Sequence, residues 1–237
     1  MAISGILFDM DGLLVDTEPL WLVAEEATMR SLGATWTQAD QLAILGGPLE
    51  HAAHYMVGRS GTELSAHEVG QRLIRRMLEL LRTEPITLQP GAAELVGRVA
   101  ASGIPYALVS ASLRQIVDLV LAALARAGVP AFPVTIAGDE VARTKPDPQP
   151  YLQAAAALGI DIASAVVLED SVNGVRAGWA SGASVIAVPH VVTVPDLDRV
   201  VVIDTLEGLD LDRIESLVDH GTLARGGRAD AGLAESS

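Results

Sequence analysis

The 237-residue sequence contains no cysteine, which excludes disulfides, thiolate catalysis and Cys-ligated zinc or iron–sulfur centres. Basic residues are scarce as well. Sixteen Lys+Arg face thirty Asp+Glu, a formal charge of -14, and a surface of that sign repels phosphate backbones and excludes a general nucleic-acid binder. Aromatics amount to 3%, too few for a stacking platform, so Trp21, Trp36 and Tyr55 read as core. There is no unbroken hydrophobic run of membrane-spanning length. The longest uncharged stretch, Ala177 to Pro195, is interrupted by Gly182, Pro189 and Pro195, which makes it helix end, strand and loop. Met1–Phe8 lacks the basic n-region of a secretory signal and runs straight into Asp9, so the expectation is a cytoplasmic protein. No internal repeat is visible. What remains is apolar: 50% hydrophobic against 19% charged residues suffices for a sizeable core and excludes disorder over most of the length. The length suits one large domain or two small ones.

Short apolar runs alternate with helical patterns. Ile3–Phe8, Tyr106–Val109, Val134–Ala137, Ala165–Leu168, Ser184–Val188 and Val200–Ile203 read as buried strands. Helices are expected at Ala92–Ala101, Leu113–Ala127, Pro150–Leu158 and Val172–Ala180. That alternation implies an α/β fold with a parallel sheet covered on both faces. Residues 17–83 break the rhythm. They hold only helix-like segments, punctuated at Gly33, Gly46–Gly47–Pro48 and Ser60–Gly61, with Leu73, Met77, Leu80 and Leu81 at helical spacing among Arg72, Arg75, Arg76 and Arg82. The expectation is an all-helical insertion at 17–83, with the sheet unit formed by 1–16 and 84–220. An insertion there sits over the carboxyl ends of the strands, where open α/β sheets bind ligands. Residues 221–237 are rich in Gly, Ala and charge without periodicity and are expected to form a disordered tail.

Four clusters follow predicted strands. Asp9-Met10-Asp11-Gly12 puts two carboxylates one residue apart with a glycine to turn behind them, although Asp-Gly is equally a turn signal. Ser110-Ala111-Ser112 opens a helix, where a hydroxyl and free N–H groups suit an anion, or Ser110 simply caps the helix. Lys145-Pro146-Asp147-Pro148 contains the one lysine of the chain, the other fifteen basic residues being arginine. A compact ammonium can touch a phosphoryl oxygen and a carboxylate together where a planar guanidinium does not fit. Glu169-Asp170-Ser171 begins another helix with two acids, which also suits simple capping. With Asp9 and Asp11 these make four carboxylates at one sheet edge, a cluster that repels itself unless protons or a hard cation neutralise it, and oxygen donors without cysteine point to Mg²⁺. Acid pair, hydroxyl, lysine and acid pair in this order are the equipment for phosphoryl transfer through an aspartyl-phosphate.

On these motifs the sequence resembles the haloacid dehalogenase-like hydrolases, over nearly the whole chain to about residue 220. It is most similar to their sugar-phosphate phosphatase and β-phosphoglucomutase branch, which implies a Rossmann-like core with an inserted all-α cap. The resemblance implies that Asp9 is the nucleophile and Asp11 the general acid/base. Ser110 with Ala111, and Lys145, would bind the phosphoryl group, Lys145 also stabilising charge in catalysis. Asp9, the Asp11 carbonyl, Glu169 and Asp170 would hold Mg²⁺. Asp16-Thr17-Glu18-Pro19 resembles the cap hinge of the phosphatases. The implied function is hydrolysis of a small phosphorylated metabolite, a sugar or polyol phosphate, with neither nucleic acid nor membrane as partner. The segment Gly46–Gly47–Pro48–Leu49–Glu50 lacks the basic residue of the mutases. A phosphosugar mutase remains the alternative, with a dehalogenase or a phospho-aspartate signalling protein behind it. His51 and His54 have no third metal ligand nearby and line the cap, and Arg114 reads as a solvated helix arginine or a substrate contact.

Overall fold

A computed structural model describes residues 3–44, 47–189 and 194–226. The central sheet begins with β1 (Gly5–Phe8), all four residues buried. A two-residue strand, β2 (Val15–Asp16), leads into four helices: α1 (Glu18–Ser31), α2 (Gln38–Ile44), α3 (Leu49–Ser60) and α4 (Ala66–Thr83). The strand β3 (Thr87–Leu88) returns antiparallel to β2. The helical insertion thus leaves and re-enters through one short paired ribbon. Two residues are too short a run to show any period, which is why both strands read as linkers in the sequence.

The chain then alternates: α5 (Ala92–Ser102), β4 (Tyr106–Val109), α6 (Arg114–Arg126), β5 (Val134–Ile136), α7 (Gln149–Leu158), β6 (Ala165–Glu169), α8 (Val172–Ser181), β7 (Ser184–Ala187), β8 (Val200–Val202) and α9 (Leu211–Gly226). The six long-range strands pair in the order β5-β4-β1-β6-β7-β8, every pairing parallel. Each expected strand and helix is present within one or two residues of its bounds. The last helix is an addition: the sequence pattern assigns no element to 211–226, and its final residues fall in the stretch expected as a tail. Residues 227–237 of the expected tail, and Gly46 with Leu45, lie outside the described residues.

Side-chain alternation along β1 divides the core. Ile6 and Phe8 join Leu95 and Val99 of α5 and Val117 of α6 on one face, whereas Leu7 joins Tyr151 of α7 and Val175 of α8 on the other. The first cluster continues into the helical insertion through Leu73 and Met77, on the apolar stripe of α4 that packs against α1, α3 and α6. Arg72, Arg75, Arg76 and Arg82 stay exposed. A capping box starts α4, the Ser65 hydroxyl accepting from the Glu68 N–H and the Glu68 carboxylate from the Ser65 N–H. Strand order reverses at β1, whose neighbours are β4 and β6. A crevice opens at that point beyond the carboxyl ends of the strands. Among the described residues no helix is long and apolar enough to cross a membrane.

Candidate active site

The three strands that meet at the crevice deliver the acids, the hydroxyls and the second acid pair side by side. Asp9 follows β1 directly, is 6% exposed, and donates its N–H to the Leu168 carbonyl of β6 at 3.0 Å. Gly12 turns the chain behind it at φ 83°, and a Cβ there would run into the Asp170 carboxylate. The two acid motifs therefore approach too closely for a side chain between them.

Lys145 is buried at the centre. Its ammonium donates to Asp9 Oδ1, to the Val109 carbonyl at 2.8 Å and to Glu169 Oε1 at 2.7 Å, which uses all three of its protons. It lies 4.9 Å from the centroid of the Tyr151 ring, and the Tyr151 hydroxyl donates to the same Glu169 oxygen at 2.8 Å. Burial alone would lower the lysine's pKa, but the charges of Asp9 and Glu169 outweigh it and hold the ammonium more firmly protonated than usual. Glu169, fully buried, also accepts at Oε2 from the Asp170 and Ser171 N–H groups and the Ser171 hydroxyl. Five donors thus surround its two oxygens, and Gly174 leaves them room, since a Cβ there would overlap the carboxylate.

Asp11 is turned to hydroxyls. Thr17 donates to Oδ1 at 2.7 Å, while Ser112 and Ser110 donate to Oδ2 at 2.8 and 3.3 Å. Thr17 stands at the entry to α1, so this carboxylate is tied to the root of the helical insertion. Ala111 lines the cavity beside them, and its carbonyl packs so closely on Gly138 that a Cβ there would collide with it.

One carboxylate oxygen from each of Asp9, Glu169 and Asp170 lies within 4.8 Å of the others. Asp170 Oδ1 is buried without a hydrogen-bond partner. Burial, then the charges of Glu169 and Asp11, pushes the Asp9 carboxyl up to about 8 against the opposing pull of Lys145. Burial followed by Asp9 and Glu169 holds Asp170 well above the usual carboxylate range. Three carboxylates against one ammonium leave an excess of negative charge, and an orphaned carboxylate oxygen points into it. That donor set fits a divalent hard cation. Asp11 contributes no side-chain oxygen to the group, which leaves its backbone carbonyl for the metal role the resemblance implies. For Glu169 to ligate directly, it must give up one of its five donors.

A cavity of about 490 Å³ lies over this cluster, between the sheet edge and the helical insertion. Asp9, Asp11, Lys145 and Asp170 line its sheet side, Trp21, Glu25 and Leu49 its helical side, and Glu18, next to Thr17 and close enough to feel the Asp11 charge, stands between them. The expected residues Asp9, Asp11, Ser110, Ala111, Lys145, Glu169 and Asp170 are thus brought together. Arg114 is not part of the cavity: its guanidinium is held by Glu140, Asp118 and Thr135. His54 is exposed and 3.9 Å from Glu50, and neither it nor His51 joins a metal cluster among the described residues. Thr17, Ser112, Tyr151 and Glu25 carry contacts that the sequence reading did not assign. Ser112 and Thr17 sit inside or next to quoted motifs, and their hydroxyls were the available signal; Tyr151 and Glu25 had none.

The family model of the haloacid dehalogenase-like hydrolases matches residues 6–188. Hexitol phosphatase B of Escherichia coli (strain K12) is 36% identical over 189 residues, covering 79% of this chain and 84% of the relative. Protein CbbY of Rhodobacter capsulatus is 32% identical over 196 residues, 80% of this chain and 86% of the relative. The crystal structure of a CbbY variant from Rhodobacter sphaeroides in complex with xylulose-(1,5)bisphosphate is similar at TM-score 0.72 and 27% identity, covering 88% of this chain and 96% of that one. Matched over most of its length and ranged beside curated phosphatases, the chain belongs to the haloacid dehalogenase-like hydrolases and is a phosphatase.

Proposed function

We propose that the chain is a cytoplasmic, Mg²⁺-dependent phosphatase that hydrolyses a small sugar or polyol phosphate through an aspartyl-phosphate on Asp9. The observation that carries this reading is the buried ammonium of Lys145 between Asp9 and Glu169, at the mouth of a cavity roofed by the helical insertion. The name of one relative, a hexitol phosphatase, supports the substrate class.

Asp9 attacks phosphorus in line, forming the aspartyl-phosphate as the bond to the leaving alcohol breaks. Lys145 offsets charge on the transferring group, and the Ser110 hydroxyl with the Ala111 N–H supplies further donors at the head of α6. Asp11 gives its proton to the leaving oxygen and then takes one from the water that attacks phosphorus, which restores Asp9 and releases inorganic phosphate. To do so Asp11 exchanges one of its hydroxyl donors, Thr17, Ser110 or Ser112, for the substrate. Asp9, Asp170 and the Asp11 carbonyl, with Glu169, would hold Mg²⁺, which when bound supplies positive charge to the phosphoryl oxygens and keeps the acids ionised. The helical insertion acts as a cap that excludes bulk water and selects the leaving group.

The test is phosphate release from sugar, polyol, nucleotide and aryl monophosphates with and without Mg²⁺. Release is expected to depend on the metal, to vanish in Asp9→Asn, and to fall on the order of a hundredfold or more in kcat for Lys145→Ala. Isomerised sugar phosphate in place of free phosphate would identify a mutase. EDTA-insensitive release of halide from a haloacid, with no phosphate release, would favour the dehalogenase, and a long-lived phospho-aspartate without turnover would favour signalling.

A further inference from the structure

The two ends of the cavity differ in charge. Lys145 is the one cation among its described lining residues, and all three of its protons are already committed at the sheet end. The helical end presents Glu25, with Gln41 and apolar Trp21 and Leu49, Glu18 standing between it and Asp11, and Glu50 at its exposed rim. Neighbouring arginines are engaged elsewhere or point outward. Arg114 is held by Glu140, Arg59 donates to Asp40 at 2.8 Å, and Arg72, Arg75 and Arg76 are exposed on α4.

Glu25 stands out because it is a carboxylate at 6% exposure on the helical side, where apolar Trp21, Leu49, Leu73 and Ile74 line the cavity with it. Trp36 Nε1 donates to its Oε2 at 3.0 Å, which fixes the side chain and leaves Oε1 without a protein donor among the described residues. A buried carboxylate with a spare oxygen needs donors, and the hydroxyls of a polyol provide them. A second phosphate or a carboxylate brings only acceptors and negative charge, and finds no counter-ion at that end. Burial raises the Glu25 pKa to about 7.

We propose that Glu25, positioned by Trp36 and joined by Glu18, is a specificity-determining residue: it receives the hydroxyls of an uncharged polyol or sugar leaving group and turns away substrates bearing a second anionic group. The inference rests on the reading of the cavity as a phosphatase site and adds to it which monoesters the site takes.

The experiment is initial-rate kinetics of the full chain with Mg²⁺ on three compounds: p-nitrophenyl phosphate, a hexitol monophosphate and the matching hexitol bisphosphate. The wild type should prefer the monophosphate over the bisphosphate by at least about tenfold in kcat/KM. Glu25→Gln, which keeps the shape and the Trp36 bond, should narrow that preference on the order of tenfold, chiefly through KM for the bisphosphate. Glu25→Leu should lower kcat/KM for the hexitol monophosphate on the order of tenfold relative to the aryl ester, as loss of a buried hydrogen bond does. Equal turnover of mono- and bisphosphate by a wild type that hydrolyses the aryl ester overturns this proposal alone. An unchanged preference in Glu25→Gln does the same. A wild type that hydrolyses none of the three overturns the phosphatase site, and the specificity proposal with it.

Discussion

Lys145 meets three acceptors with three protons at a buried position. That geometry belongs to a tetrahedral ammonium. A guanidinium keeps the charge but is longer and planar, and its five donors cannot all be satisfied by Asp9, Val109 and Glu169. Lys145→Arg is therefore expected to lose kcat about as heavily as Lys145→Ala, on the order of a hundredfold, when both are assayed with Mg²⁺ on one phosphate ester. Activity near wild type in the arginine variant would mean that charge alone suffices. Tyr151→Phe removes a hydroxyl from Glu169 but leaves the ring beside the ammonium, so it should cost about 1–2 kcal/mol in denaturant unfolding. At this scale the sequence was legible where residue chemistry is scarce. A lone lysine and two acid pairs, each following an apolar run, stand out against an arginine-rich, polar-poor background. Thr17, Ser112 and Tyr151 did not, because hydroxyls at helix starts serve as caps far more often than as ligands, and a tyrosine in an apolar helix reads as core.

The helix α1 carries a different kind of information, since it leads from Asp11 through Thr17 to the roof of the cavity within two turns. Its Glu25 has an ordinary pKa near 4.5 that burial raises to about 7, despite the opposing hydrogen bond from Trp36. The folded state holds that proton more tightly than the unfolded chain. Stability is thus fully present below about pH 4.5 and is lost as pH rises toward 7. Glu25→Gln removes this dependence. The variant should match the wild type at pH 4.5 and exceed it at pH 8 by about 1–2 kcal/mol, a figure reduced for the oxygen left open to the cavity. Urea unfolding of both proteins at the two pH values measures the difference, and parallel curves would mean Glu25 is already solvated. Elements themselves were readable wherever a period had room to repeat. The four-residue run of β1 and the stripe of α4 from Leu73 to Leu81 are such cases. Val15–Asp16 and Thr87–Leu88 pair across the root of the insertion, a partnership that exists only in three dimensions. The helix from Leu211 to Gly226 went unread although Leu211, Ile214, Leu217 and Val218 stand at helical spacing and pack on the core, because that pattern covers only its first two turns and the Gly-rich residues beyond it carry none.

For the whole molecule, the excess of negative charge is concentrated as well as general. A formal charge of -14 spreads over the surface, yet Asp9, Glu169 and Asp170 collect in one buried group with Lys145. Without a metal this group opposes folding as pH rises. The Asp9 pKa lifted from 3.8 to about 8 means that its contribution falls between about pH 4 and pH 8. A divalent cation that binds only the folded chain reverses the trend and stabilises by about 2.7 kcal/mol at a hundred times its dissociation constant. In a protein of this size that corresponds to a Tm increase of about 5–10 °C. The increase should be largest near pH 8 and fade toward pH 4.5, where the acids are protonated. Sodium chloride at the same ionic strength should give much less, because it screens the surface without entering the cluster. Asp170→Asn, which removes the charge of the carboxylate that carries the orphaned oxygen, should melt at or above the metal-free wild type at pH 8 and gain little from Mg²⁺. An Asp170→Asn variant that gains as much as the wild type would place the cation elsewhere on the acidic surface. In that case the cluster is a site for protons, and in the proposed mechanism the task of keeping Asp9 ionised falls to Lys145 alone.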